Sequence, residues 1–413
     1  MNLASTSYRM RLIVMFIFLA GVALFSSGCW DIAEVDHRAF ISALAVDMDK
    51  GGKFKLKAVI PIPRGVAGGG AGGGGGPAGP AVQIISASAE TFADALGLLG
   101  EKTDRIIDLG HLRSVIIGES LARKGIDDKL DGLFRHPAMD GTAAVLVSEG
   151  DAADAIEASP PAELFQVIYL ERYFYKDGLD TPRSLRVELW RTYMLLNTPS
   201  RQLFLPRIRA IRAKPEKGGE GKGKDTAGGG QKGASKEEQD RLEISGFGVF
   251  KDGRLVGWLE GRDATAFGWL MGNRRGANIV ISVPIEHDKK VVVQILDLKS
   301  YRSVRRGKTG YVIALHLSAT GNVLEAQDIH LLPGKDKTHA QIVEKCRQTM
   351  SSTVNGLVRK LQKDLRVDAL GLGEDVRRQF PDEFDPEQWK MEFPNVEIKT
   401  EVRLRVNQLG IFH

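Results

Sequence analysis

Cysteine is almost absent from this chain. Only Cys29 and Cys346 occur among 413 residues, which excludes a metal site of the cysteine-cluster kind and leaves at most one disulfide. None of the eight histidines falls in the HExxH spacing that a hydrolytic zinc site would use. The serine elbow GxSxG is missing too. No block of arginines interleaved with aromatics occurs, so nucleic acid is not an expected partner. Gly307-Lys308-Thr309 looks like the end of a phosphate loop, but Arg302 stands where such a loop needs its first glycine. It reads as a turn between two strands. These absences lead to the expectation of a protein that is not an enzyme, with no catalytic residue, no cofactor and no metal.

Acidic residues are missing from Met1 to Gly28, where Arg9 and Arg11 precede an apolar run from Leu12 to Phe25. That is the order of a secretory signal. About 14 residues of helix span roughly 21 Å, short of the roughly 30 Å of a bilayer core, so a permanent span is the weaker reading. Residues 1–28 are therefore expected to be a signal peptide. Ser26, Ser27 and Gly28 before Cys29 resemble a bacterial lipobox, in which the cysteine takes a diacylglycerol and becomes the mature N-terminus. Ser26 departs from the usual Leu, with Leu24 and Phe25 standing further out. An ordinary signal cut nearby, leaving Cys29 as a thiol, is the alternative. Two acyl chains anchor stably, at about 0.8 kcal/mol per buried methylene. Trp30 would then lie near the headgroups, where tryptophan is favoured. Without Arg9 and Arg11 the 57 basic residues become 55 against 52 acidic ones, a balance of +3. Such a mildly basic surface suits an anionic bilayer.

With 43% hydrophobic and 26% charged residues, the chain is ordinary globular material for two or three domains. Ala39 to Asp47 and Phe54 to Pro61 read as a hairpin, Val82 to Ser86 as a strand, and Glu90 to Gly100 as a helix. Short strands (Arg105 to Leu109, Ser114 to Ile117, Ala143 to Val147) alternate with short helices (Glu119 to Lys124, Asp127 to Phe134, Ala152 to Ala158). A helix is expected over Pro182 to Leu196 with Leu185, Val187, Leu189 and Trp190 as its apolar face. Strands at Leu203 to Ile211, Leu242 to Phe250 and Leu255 to Trp258 follow, then a helix from Gly261 to Met271. The glycine loop Arg64 to Pro80 and the Gly/Lys/Glu-rich insert 213–240 have compositions that cannot bury apolar area. The last third carries strands at Asn278 to Val283, Val291 to Asp297 and Tyr311 to Ala319, and a closing strand from Val396 to Val406. Between them, Thr338 to Arg366 forms a long amphipathic helix whose stripe is Ile342, Cys346, Met350, Val354, Leu357, Leu361 and Leu365. The fold class is thus α+β, three small mixed sheet-and-helix domains in series: 29–175, 176–275 with the insert 213–240, and 276–413 with the long helix.

Several short blocks, in order, resemble one family. They are Cys29-Trp30-Asp31 with Glu34; the strand ending in Asp47; His111-Leu112-Arg113 leading to Val115-Ile116-Ile117-Gly118-Glu119; and Gly246-Phe247-Gly248-Val249-Phe250 with Lys251, Leu255, Val256 and Gly257. The most specific is Asp368-Ala369-Leu370-Gly371-Leu372-Gly373, followed by Phe380-Pro381, Trp389, Phe393-Pro394 and Gly410. Together they resemble the Ger(x)C lipoproteins, the C subunits of bacterial spore germinant receptors, from Cys29 to the end. The resemblance implies a lipid-anchored, three-domain α+β protein on the outer face of the spore inner membrane. It would work beside a transmembrane A subunit and a transporter-like B subunit to convert a nutrient signal into germination. His111, Trp30 and Trp389 are the candidate partner contacts, since aromatics dominate interface energetics. Alternative roles are a hydrogen-bonded strand end for His111 and a core cap for Trp389. A different functional class, a membrane-tethered solute-binding lipoprotein, would need two similar lobes around a cleft. The order of elements here changes between units instead of repeating.

Overall fold

The computed structural model describes residues 11, 13–19, 37–62, 82–158, 169–170, 173–174, 183–211, 241–272, 274–284, 290–308, 310–326 and 337–408. The junction with Cys29 and Trp30, the glycine loop, the insert 213–240 and Gly410 lie outside these residues, and so do the expectations placed on them. Residues 13–19 are helical, and among the described residues no helix is long and apolar enough to cross a membrane.

The chain proceeds through β1 (Arg38–Phe40), β2 (Ala43–Met48), β3 (Phe54–Pro61), β4 (Val82–Ala89) and helix α1 (Phe92–Gly100). Next come β5 (Ile106–Asp108), β6 (Ser114–Ile117), helices α2 (Glu119–Lys124) and α3 (Asp131–Phe134), β7 (Ala144–Ser148) and α4 (Ala152–Glu157). After α5 (Leu189–Leu196) come β8 (Phe204–Ile211), β9 (Arg241–Lys251), β10 (Arg254–Leu259) and α6 (Gly261–Met271). The last part holds β11 (Arg274–Pro284), β12 (Lys290–Gly307), β13 (Gly310–Ala326), α7 (Lys337–Arg359), α8 (Leu372–Gln379), α9 (Pro386–Glu392) and β14 (Glu397–Gln408). The α+β class is what the sequence pattern gave reason to expect.

The runs ALAVDM, SVII and AVLVS are almost wholly apolar, as strands covered on both faces must be. They are β2, β6 and β7, buried throughout and joined in parallel. Alternation sends Leu44, Val46, Val115, Ile117, Val145 and Val147 to one core, and Ala43, Ala45, Ile116, Ala144 and Leu146 to the other. The sheet has eight strands in the order β10-β9-β8-β7-β6-β2-β3-β4. β7 pairs with β8 at Val147↔Arg207 and Ser148↔Ile208. The segments 29–175 and 176–275 therefore contribute to one continuous sheet, which spares β7 an exposed edge.

Two expectations need correcting. The helix expected from Pro182 begins only at Leu189, because residues before it run extended along β7: Val145 N donates to Val187 O at 2.8 Å, and Leu189 N to Ala143 O at 2.9 Å. Val187, counted on a helix face, is a buried β-branched residue suited to extended backbone. The strands of the last sheet are also far longer than the apolar runs that announced them. β12 has 18 residues and β13 has 17, closing in a tight hairpin at Gly307↔Gly310. Beyond Leu298, β12 reads Lys299-Ser300-Tyr301-Arg302-Ser303-Val304-Arg305-Arg306, so no continuous apolar run marks its second half.

The final sheet runs β11-β12-β13-β14, antiparallel except for β13 and β14. A parallel pair needs a crossover, and α7, α8 and α9 supply it. Ile342, Cys346, Met350, Val354 and Leu357 are fully buried down α7, and just beyond it Leu361 is buried and Leu365 packs against the same core. The helix widens into a π-helical turn over Lys360–Leu365 and stops at Arg366, which is left-handed at φ 52.

Burial pushes the Cys346 thiol up to about 11, so little reactive thiolate forms near neutrality. With Cys29 replaced by Ser, the folded protein should not react with Ellman's reagent at pH 8, and one thiol should appear on denaturation. Rapid labelling of the native protein would show that the stripe is not packed as described.

Candidate functional site

Asp368 is a buried carboxylate held by three donors. It accepts from Leu372 N at 3.0 Å, Gly373 N at 2.7 Å and the Trp389 indole Nε1 at 3.0 Å. Burial pushes its carboxyl up, and these three donors oppose that by favouring the charged form. The neighbouring residues fit this arrangement. Gly371 sits at φ 73 just before α8, and a Cβ on Gly373 would lie 2.5 Å from the Trp389 indole nitrogen. Leu370-Gly371-Leu372-Gly373 is therefore a tight turn wrapped on a tryptophan.

Trp389 is only 3% exposed and packs among Tyr311, Phe384 and Phe393. Its expected contact with a partner is thus corrected: the ring is core, and its polar edge is spent on Asp368. The same block reaches into the large-sheet unit. Glu374 accepts from Ser200 Oγ at 2.6 Å, Arg377 Nε and Nη2 at 2.8 Å, and Arg378 Nε at 3.1 Å. Led by the Arg377 bonds, these partners hold its carboxyl at about 2. Lys360 with Asp263 at 2.9 Å and Lys390 with Asp252 at 2.7 Å clamp the two units further.

Asp47, at the end of β2, plays a similar part in the large sheet. It accepts from Ala152 N at 2.8 Å and Ala153 N at 2.9 Å, the first-turn amides of α4. A Cβ on Gly118 would fall 1.8 Å from Asp47 Oδ1, so the family-like strand ending in Gly118 leaves room for this carboxylate. His111 is exposed beside this unit and meets Phe40 edge-on at 4.7 Å. Near it, Arg38 Nη1 donates to Asp108 Oδ2 at 2.6 Å. The structure does not bring His111 and Trp389 together.

One cluster has the connectivity of a hydrolytic triad. Ser303 Oγ lies 3.0 Å from His316 Nε2, and His316 Nδ1 lies 3.0 Å from Glu401 Oε2. The ring is stacked on Tyr301 at 4.3 Å. These residues stand on the open face of β12, β13 and β14, where backbone N–H groups lie in the plane of the sheet. Those backbone N–H groups are spent in the ladder and do not point above that face. The geometry is that of cross-strand pairing. Among the described residues no group of three or more His, Cys, Asp or Glu could hold a metal ion.

Helix α5 carries what the sequence reading missed. Leu189, Thr192 and Leu195 point inward, whereas Trp190 is 54% exposed, Tyr193 52% and Met194 37%. Trp190, expected on the apolar face with Leu185, Val187 and Leu189, is thus on the exposed one. The signal was present: large apolar residues occupy two opposite faces of one short helix, and only one can be covered by its own core. Beside the C-terminal end of α5 opens a pocket of about 410 Å³, lined by Met194, Ser200, Arg201, Glu374, Arg377 and Arg378 among others.

Two family models match the chain. One describes a spore germination protein N-terminal domain and covers residues 31–210; the other, spore germination B3/GerAC like, C-terminal, covers 245–410. The putative spore germination protein YfkR of Bacillus subtilis (strain 168) is 27% identical over 95% of each chain. Spore germination protein KC of the same organism is 23% identical, over 98% of this chain and 97% of its own. The crystal structure of the GerBC protein superposes with a TM-score of 0.53 at 15% identity, covering 91% of this chain and 99% of that one. That likeness is one of fold.

The Glu374 cluster should make the junction of the two units acid-labile. Its carboxyl is lowered from 4.5 to about 2, so its stabilising contribution is complete above about pH 5 and is lost as pH falls toward 2. Glu374→Gln should remove roughly 1–3 kcal/mol at pH 7 and flatten the loss of stability between pH 5 and 3. Urea melts at pH 7 and pH 3.5 measure both; equal pH dependence in variant and wild type would refute the assignment.

Proposed function

The chain belongs to the GerAC-like family of spore germination proteins, and we propose that it is the lipid-anchored C subunit of a nutrient germinant receptor. In this reading Cys29 carries the lipid on the outer face of the spore inner membrane. The domains then act by contact with the transmembrane A and B subunits and perform no chemistry of their own. The observation that carries it is the match of both family models, over residues 31–210 and 245–410.

The geometry supports a contact role in a specific way. The family-like blocks around Asp47, Asp368 and Trp389 are internal joints, and a partner meets instead what those joints hold in place. A rigid scaffold lowers the ordering cost of association. Trp190 and Tyr193 present the kind of aromatic surface on which binding energy concentrates, and we assign them, with Trp30 and His111, to the contact with membrane subunits. Tethering would raise their effective concentration at the membrane.

Cys29→Ala should move the protein from the membrane fraction of spores to the soluble one and slow nutrient-triggered loss of optical density, with a receptor-independent chemical trigger unaffected. Retention in the membrane with full germination would defeat the anchoring. The double variant Trp190→Ala, Tyr193→Ala should melt within a few degrees of wild type yet weaken recovery of the receptor complex at least about tenfold, as loss of interface anchors does. Undiminished recovery would place the contact elsewhere.

A further inference from the structure

The pocket below α5 holds an imbalance of charge. Arg201, Arg377 and Arg378 line it with a single carboxylate, Glu374. Both oxygens of Glu374 are already taken: Oε2 by Ser200 and Arg377 Nε, Oε1 by Arg377 Nη2 and Arg378 Nε. Asp375, the next acid along α8, accepts from Arg302 Nη1 at 3.1 Å. The charges of Glu374 and Asp375 favour the cation at Arg201, but their oxygens are engaged by these other donors. The Arg201 stem packs toward the left-handed Gly371, where a Cβ would stand 3.4 Å from Arg201 Cγ. Its Nε is buried without a hydrogen-bond partner among the described residues.

Such a group is costly. A guanidinium withdrawn from water needs hydrogen-bonding anions in exchange, and at Arg201 desolvation, with the charges of Arg378 and Arg302, outweighs the opposing charges of Glu374 and Asp375 and disfavours the cation. The position is nonetheless fixed from two sides. Arg201 N donates to Thr198 O at 3.0 Å in the turn that ends α5, while Ser200 Oγ is held by Glu374 from α8. Three guanidinium groups thus converge at the seam between the large sheet and the crossover helices, with one carboxylate to share. Met194, Pro199 and Pro386 give the recess an apolar side.

We propose that this pocket binds a small soluble oxyanion, a carboxylate or a phosphate, received by the Arg201 guanidinium with Arg378 as the second cation. The fork of an arginine matches either group in two parallel hydrogen bonds. A recess of about 410 Å³ is of the size that takes small molecules, and Arg201 is among the residues that line it. Because α8 and the 198–202 turn come from opposite sides of the seam, a bound anion bridges the two units. The site is independent of the receptor-subunit reading and of the aromatic patch on α5.

The test is calorimetric titration of the mature full chain with inorganic phosphate and with glutarate at constant ionic strength, with sodium chloride as control. Saturable binding of at least one anion is expected, with a raised melting temperature. Arg201→Gln should weaken it about tenfold or more, the scale of one lost charge-assisted hydrogen-bond pair. Arg378, whose side chain is 64% exposed, can be changed without burying a new group. Arg378→Gln should weaken binding about threefold with unchanged folding, and keeps the test decisive should Arg201→Gln fail to fold. Failure of both anions to bind saturably would overturn the site, as would wild-type affinity in both variants. Binding of a hexaglutamate peptide with neither small anion bound would also overturn it, in favour of an acidic protein segment.

Discussion

A carboxylate removed from water must find hydrogen-bond donors, and the way Asp368 meets that demand organises the C-terminal third of this protein. Its donors are two backbone amides at the start of α8 and the indole of α9. One side chain therefore fixes the turn, starts a helix and holds the following helix against it. Gln362 adds to the same knot by donating to Phe393 O at 2.9 Å and Val396 O at 2.8 Å, which sets where β14 begins. The parallel pairing of β13 with β14 depends on this crossover returning the chain to the right edge at the right height.

The large sheet is held by a comparable device on a smaller scale. Asp47 ties the end of a buried parallel strand to the first turn of α4, about a hundred residues later in the chain. Arg207 plays the converse role for the next strands. It is buried, donates to Ser245 O at 2.8 Å and pairs with Glu149 and Glu260. Buried charges of this kind are fully partnered, which is the condition under which they specify one arrangement without a severe desolvation cost.

A division of labour between the inside and the surface follows. Among the short blocks that make the chain recognisable, those at Asp47, at Gly118 and at Asp368 with Gly373 and Trp389 are explained by joints. Of the exposed features, the aromatic face of α5 and the arginine pocket lie outside those blocks, while His111, also exposed, opens one of them. A protein that works by presenting a rigid surface would be built in this way, with the parts common to a family inside and the parts that meet partners or ligands outside.

What the sequence determined by itself is local. Period-3.6 spacing located α7 and named its buried stripe, and apolar runs located the central strands. The Lys308 turn was legible because it falls between two strand patterns and Arg302 stands where a phosphate loop needs glycine. What only the tertiary structure decided is which faces find cover. Trp190 and Trp389 are indistinguishable as residues, yet α9 finds a core around its tryptophan while α5 has one core and two apolar faces. The joining of segments on either side of residue 175 into one sheet was equally hidden, because strand pairing is set by long-range edges and not by composition. Local patterns depend on neighbours three or four residues apart; burial depends on contacts a hundred residues apart, and no periodicity records those.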